Sequence, residues 1–137
     1  DKNSMPSENP NFEGRTLLLV EDVEINREIV LTLLAPSGIR IIEAEDGNEA
    51  IKKFKQFSSE IDIVFMDIKM PFMDGFGAAA AIRSSGLQGA DTVPIIALTA
   101  NAFQDDVDKA HAVGMNDHLS KPIDLDKVFA LMNKYLL

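Results

Sequence analysis

Short, almost wholly apolar runs alternate along this chain with stretches whose apolar residues recur every three or four positions. The first run, RTLLLV at 15–20, shows no polar alternation, which predicts a strand buried on both faces. Between 23 and 35, Ile25, Ile29, Val30, Leu33 and Leu34 follow helical spacing, and Pro36 with Gly38 closes the helix. IRIIEA at 39–44 predicts the second strand. Asp46, with Glu49 three residues later, forms a capping-box-like start to a helix whose Ala50, Ile51 and Phe54 face the core. A third strand is predicted at 61–66, a helix at 75–84, a fourth strand at 93–99, and a helix near 102–112 that breaks at Gly114. NDHLS at 116–120 predicts a short fifth strand. A last amphipathic helix starts near Asp124, with Leu125, Val128, Phe129 and Met132 on one face.

Strands alternating with helices in this way predict a parallel sheet covered on both faces. Right-handed crossovers then make the fold α/β: a doubly wound, five-stranded parallel sheet with five helices in three layers. Residues 1–13 are polar and hold Pro6 and Pro10, so they are expected to be a flexible tail or linker ahead of one domain at 14–137. A chain of 137 residues fits one domain, and 46% hydrophobic content supports a packed core.

Charge narrows the partners. Acidic residues outnumber basic ones by 22 to 13, a net charge of −9, which repels nucleic-acid phosphates and anionic membranes. The absence of cysteine rules out a disulfide framework and is consistent with the cytoplasm. There is no signal peptide, and no apolar run nears the roughly 18 residues of a membrane span. The start at Asp1 rather than a Met is compatible with a piece of something longer.

Open α/β sheets bind ligands beyond the carboxyl ends of their strands. Glu21 and Asp22 follow the first strand, Asp67 the third, Thr99 ends the fourth, and Lys121 follows the fifth, before Pro122. The topology places these carboxylates, the hydroxyl and the ammonium on one rim, to which the second strand, at the sheet edge, adds nothing comparable. At an effective dielectric near 20, two like charges about 4 Å apart cost about 4 kcal/mol, a penalty that a divalent cation removes. Few, partly hydrated oxygen ligands suit Mg²⁺ better than a closed calcium cage. Carboxylates, Mg²⁺, a lysine and a hydroxyl together make a phosphoryl-transfer site, where an Asp can attack phosphorus.

A rival pattern, Gly75-x-Gly77-x-x-Ala80, looks like a dinucleotide fingerprint. That motif must begin directly after a strand, whereas Gly75 lies eight residues past Asp67 with Pro71 between them. Gly75 is therefore read as a turn residue and Gly77 as close packing. Met66, Met70 and Met73 are read as core and loop filler, and His111 as helix surface.

The ordered segments LLLVEDVEINREI, EAEDGNEAI, DIVFMDIKMPFMDGF, VPIIALTANA and GMNDHLSKPID resemble a response-regulator receiver domain, a flavodoxin-like fold, from about Arg15 to Leu137. NREI and ALTANA are similar in style to receivers carried by hybrid histidine kinases. The resemblance implies that Asp67 accepts a phosphoryl group from a phosphohistidine on a histidine kinase or histidine phosphotransfer domain. It implies that Asp22, Asp67 and the backbone carbonyl of Lys69 hold Mg²⁺, or Mn²⁺ in its place, with Glu21 acting through water. Lys121 would pair with the phosphoryl group, Thr99 would move to hydrogen-bond it, and Ala100 would leave room for it. Lys69 and Asn101 would tune the lifetime of the acyl phosphate, which such domains form and lose by their own catalysis. A phosphorylation-dependent dimer stays open, as does the parent: a hybrid kinase, with this domain in its cytoplasmic part, or a single-domain regulator. His118 stands where the family often has Tyr or Phe, which predicts an output surface sensitive to pH near about 6–7. Two other readings remain: a phosphorylation-independent pseudo-receiver, and an aspartate-based phosphatase, which usually carries an acid where this chain has Lys69.

Overall fold

The computed structural model describes residues 11–70, 72–100 and 104–136. Five parallel strands, β1 (Thr16–Val20), β2 (Arg40–Ala44), β3 (Ile63–Asp67), β4 (Ile95–Thr99) and β5 (Asp117–Ser120), form one sheet in the order β2-β1-β3-β4-β5. The helices are α1 (Glu24–Leu34), α2 (Gly47–Phe57), α3 (Gly75–Arg83), α4 (Gln104–Ala112) and α5 (Leu125–Leu136), with a 3₁₀ turn at Ala35–Ser37. This is the doubly wound three-layer sandwich that the alternation of periods predicts.

Side chains alternate across the strands, so the central strands feed two cores. Leu18, Val20, Val64, Met66, Ile95 and Ala97 pack against Ala50 and Phe54 of α2, Ala78 and Ile82 of α3 and Ala110 of α4. On the opposite face, Leu17, Leu19, Phe65, Ile96 and Leu98 pack against Val30 and Leu34 of α1 and Val128, Met132 and Leu136 of α5. The three central strands are buried throughout, which explains their lack of polar alternation.

Four expectations need correction. Phe12 belongs to the core rather than to a tail: it is 1% exposed, and its N–H donates to Ser37 O at 2.7 Å. The remainder of the expected tail, residues 1–10, lies outside the described residues. On α1, Ile25 and Ile29 face solvent, at 59% and 46% exposure, and the buried stripe is Arg27, Val30 and Leu34. Arg27, partnered by Glu21 O and Glu43, takes a place in that buried stripe.

Strand starts also shift. β4 begins at Ile95 rather than 93, because Val93 N–H turns back to Gly89 O and Pro94 has no N–H to give. β3 runs to Asp67 itself, while Asp62 ties the entry to β1 by accepting from Thr16 N at 2.8 Å.

The roles of the glycines are the fourth correction. Gly75 is the first residue of α3, where a Cβ would collide with the Asp67 carbonyl oxygen and come within 2.7 Å of Ile68 Cα. A Cβ on Gly47, at the start of α2, would likewise come within 2.6 Å of Met73 O. Close packing thus falls at Gly75, while Gly77 is exposed and serves mainly by donating its N–H to the cap Asp74, at 2.8 Å. At the α2 start, Asp46 caps by accepting from Glu49 N at 2.7 Å, while Glu49 reaches one residue past the cap and accepts from Glu45 N at 2.9 Å.

Because the Asp67 carbonyl and α3 cannot both keep their places around a methyl group, Gly75→Ala is expected to cost about 1–3 kcal/mol in urea unfolding. Gly77→Ala is expected to cost less, since the nearest atom to its added Cβ is a side-chain carbon, Met73 Cγ, at 3.3 Å rather than main chain.

Candidate functional site

β1 and β3 are hydrogen-bonded neighbours at the centre of the sheet, so their carboxyl ends deliver acids side by side. Glu21 and Asp67 are 1% and 3% exposed, Asp22 is half-buried, and one carboxylate oxygen from each lies within 4.8 Å of the other two. The turn after β5 brings in Lys121, whose Nζ lies 2.8 Å from Glu21 Oε1 and 2.9 Å from Asp67 Oδ2. Backbone amides take the remaining oxygens: Val23 N donates to Glu21 Oε2 at 3.0 Å, and Lys69 N to Asp67 Oδ1 at 3.1 Å. Lys121 is joined to Pro122 by a cis peptide bond, and its own N–H donates to Thr99 O at 2.7 Å.

Three carboxylates and one ammonium give the cluster a formal charge of −2, with Glu21 and Asp67 buried and Asp22 half-buried. Burial alone would lower the Lys121 ammonium, but the hydrogen bonds and charges of Glu21 and Asp67 outweigh it, and the net shift is upward. The lysine is therefore held charged. Hard oxygen donors with a residual charge of that size fit a small divalent cation such as Mg²⁺, which Glu21, Asp22 and Asp67 could hold.

The other predicted residues surround this centre. Thr99 is buried at the end of β4, and its hydroxyl donates to Leu119 O at 3.5 Å, the outer limit of a hydrogen bond. Ala100 follows it at the exposed rim. The Lys69 side chain is exposed, while its main chain lies against Asp67. His118 sits on the edge strand β5, half-buried, with its N–H on Asp117 Oδ1 at 3.0 Å. Burial alone would raise the Asp117 carboxyl; the His118 amide, Lys134 and Tyr135 hold it below its usual range instead. Asn101 lies outside the described residues.

The pattern of the sequence did not single out Arg27. Its guanidinium is buried and donates to Glu21 O at 2.8 Å and to Glu43 Oε1 at 3.2 Å. A signal was available: a lone cation at i, i+3, i+7 spacing with Val30 and Leu34, opposite the alternating acids Glu43 and Glu45.

A family described as the response regulator receiver domain matches residues 17–133. The chain belongs to that family. Like its relatives, it is a receiver domain of a two-component system. Two-component response regulator ORR41 of Oryza sativa subsp. japonica is 37% identical over 123 residues, covering 88% of this chain and 94% of that protein. Two-component system protein A of Emericella nidulans is 38% identical over 120 residues, 87% of this chain, but the chain spans only 17% of that protein's length. Among solved structures, the receiver domain of sensor histidine kinase PA1611 from Pseudomonas aeruginosa, with a magnesium ion in its active-site cleft, aligns with a TM-score of 0.80. It is 34% identical, over 89% of this chain and 97% of that one. A chain from the co-crystal of the Saccharomyces cerevisiae phosphotransfer protein Ypd1 with the receiver domain of Ssk1 aligns with a TM-score of 0.77 and 32% identity, over 92% and 94%.

In this receiver domain, Lys121→Met leaves Glu21 and Asp67 without their shared cation, and stability in EDTA is expected to fall by about 2 kcal/mol in urea unfolding. The raised Lys121 contributes fully below the ordinary lysine range and loses its contribution as pH rises through the folded value. The difference between wild type and Lys121→Met should thus be complete near pH 8 and shrink above about pH 10.4. A difference that stays constant into the alkaline range contradicts the pairing.

Proposed function

We propose that Asp67 is the phosphoacceptor of a phosphorelay, taking a phosphoryl group from a phosphohistidine on a histidine kinase or histidine phosphotransfer domain. The observation that carries this reading is the Asp67 carboxylate itself, buried at the end of β3 between the Lys121 ammonium and the Lys69 amide, with Glu21 and Asp22 beside it. A carboxylate oxygen of Asp67 attacks phosphorus as the phosphorus–nitrogen bond breaks, and the imidazole leaves with the electron pair. Lys121 then exchanges its contact with the carboxylate for one with the incoming phosphoryl oxygens. Asp22, Asp67 and the Lys69 carbonyl would hold Mg²⁺, with Glu21 acting through water. When bound, the ion neutralises charge on the phosphoryl oxygens.

Thr99 is suited to the switch. Its long bond to Leu119 O gives it little to lose by rotating toward a phosphoryl oxygen. Ala100 would leave room beside it, and Lys69 and Asn101 would tune the lifetime of the acyl phosphate. His118, on β5, would pass the change to the outer face of the sheet. A donor surface adjoins the site: Val23, Ile25 and Ile29 are exposed on the α1 side, next to a cavity of about 110 Å³ lined by Glu21, Ile29, Lys121 and Ile123. The similarity to a chain from the Ypd1–Ssk1 co-crystal supports a phosphotransfer partner. Such a donor places the domain in the cytoplasm, either within a longer kinase or as a regulator in its own right.

A phosphatase is not favoured, since the residue two positions after Asp67 is the exposed Lys69 rather than an acid. Incubation with a small acyl phosphate and Mg²⁺ should give a mass gain of one phosphoryl group, abolished by Asp67→Asn and by EDTA. Sustained turnover would support the phosphatase instead, and no labelling would support a phosphorylation-independent interaction module.

A further inference from the structure

Arg27 spends its guanidinium on the backbone of the acidic site rather than on solvent. The residue is 8% exposed, and Nη1 donates to the Glu21 carbonyl oxygen at 2.8 Å. Nε donates to Glu43 Oε1 at 3.2 Å, and Nη2 lies 3.9 Å from Glu45 Oε1. Glu21 is thus gripped at both ends of its main chain, because its own N–H donates to Ala44 O at 3.1 Å. Its side chain is held by Val23 N and Lys121. The fixed fork of a guanidinium holds a carbonyl and a carboxylate in one geometry, which the point charge of an ammonium does not impose.

We propose that Arg27 is a positioning residue for the divalent-cation site, fixing the turn that presents Glu21 and Asp22 by tying it to the edge strand β2. This rests on the reading of Glu21, Asp22 and Asp67 as the metal acids. The clamp draws its charge balance from Glu43 and Glu45, so the edge strand, which carries no group of the acidic site, still sets its geometry. Two effects of Arg27 on a cation oppose one another. Its charge alone repels the cation, and removing it would tighten binding; loss of the clamp loosens the acids and would weaken binding. The sign of the change separates the two.

The test is calorimetric titration of Mg²⁺ into wild type, Arg27→Met and Arg27→Lys, with urea unfolding of each in EDTA. Both variants should bind Mg²⁺ about tenfold more weakly, the scale typical of groups that orient metal ligands. Arg27→Lys keeps the charge, and it carries the test should Arg27→Met not fold. In metal-free Arg27→Lys, the Val23 amide should lose protection against hydrogen exchange, since its acceptor, Glu21 Oε2, is no longer held. Unchanged or tighter Mg²⁺ binding in Arg27→Lys, even with lowered stability, overturns the proposal and leaves Arg27 a packing residue. Asp22→Asn separates the premises: if it binds Mg²⁺ like wild type, the metal reading itself fails. If it loses binding while Arg27→Lys does not, only the role of Arg27 fails.

Discussion

Two carboxylates buried at the ends of apolar strands share a single ammonium, and that imbalance shapes the rim around them. Glu21 and Asp67, 1% and 3% exposed, both contact Lys121, which lies between them as a buried acid's partner must. One lysine answers two acids, and Asp22 adds a third negative charge. The site is therefore electrostatically unfinished, and its acids could hold a divalent cation. A fully paired cluster would be more stable and would have no capacity to receive one.

Such a site needs rigid supports, and they come from both faces of the sheet. β1 and β3 are buried throughout, between a core under α1 and α5 and another under α2, α3 and α4. Gly75 lets the start of α3 press directly on the carbonyl of Asp67, and Gly47 lets α2 press on Met73 in the same loop. These are contacts that a methyl group would forbid, so the loop after β3 is held close and the rim above Asp67 stays open.

The two edge strands contribute indirectly. β2 supplies Glu43, which partners the Arg27 guanidinium behind Glu21. β5 leads into Lys121 and carries His118 and Asp117, the latter tied to Lys134 and Tyr135 of α5. The Thr99 hydroxyl, at the end of β4, rests weakly on the main chain of β5. Membership in the receiver family places these features in a signalling context, while their detailed geometry belongs to this chain.

Much of this was legible in the order of residues. Alternation of strand and helix periods specifies the layers, because period 2, period 3.6 and continuous apolar runs bury different faces. The rule that sites lie beyond strand ends then singles out Glu21, Asp22, Asp67, Thr99 and Lys121 without any coordinates. What pattern could not decide was rotation and close approach. The stripe of α1 reads as Ile25, Ile29, Val30, Leu33 and Leu34; Val30 and Leu34 are buried, but beside them the sheet edge, with Glu43 and Glu45, takes Arg27 in place of the two isoleucines. Phe12 reads as linker until the 3₁₀ turn at Ala35–Ser37 offers its carbonyl to it. Gly75 reads as a turn until the strand and the helix are seen to touch there. These depend on contacts between segments far apart in the chain, and periodicity within one segment carries no information about the distance to another.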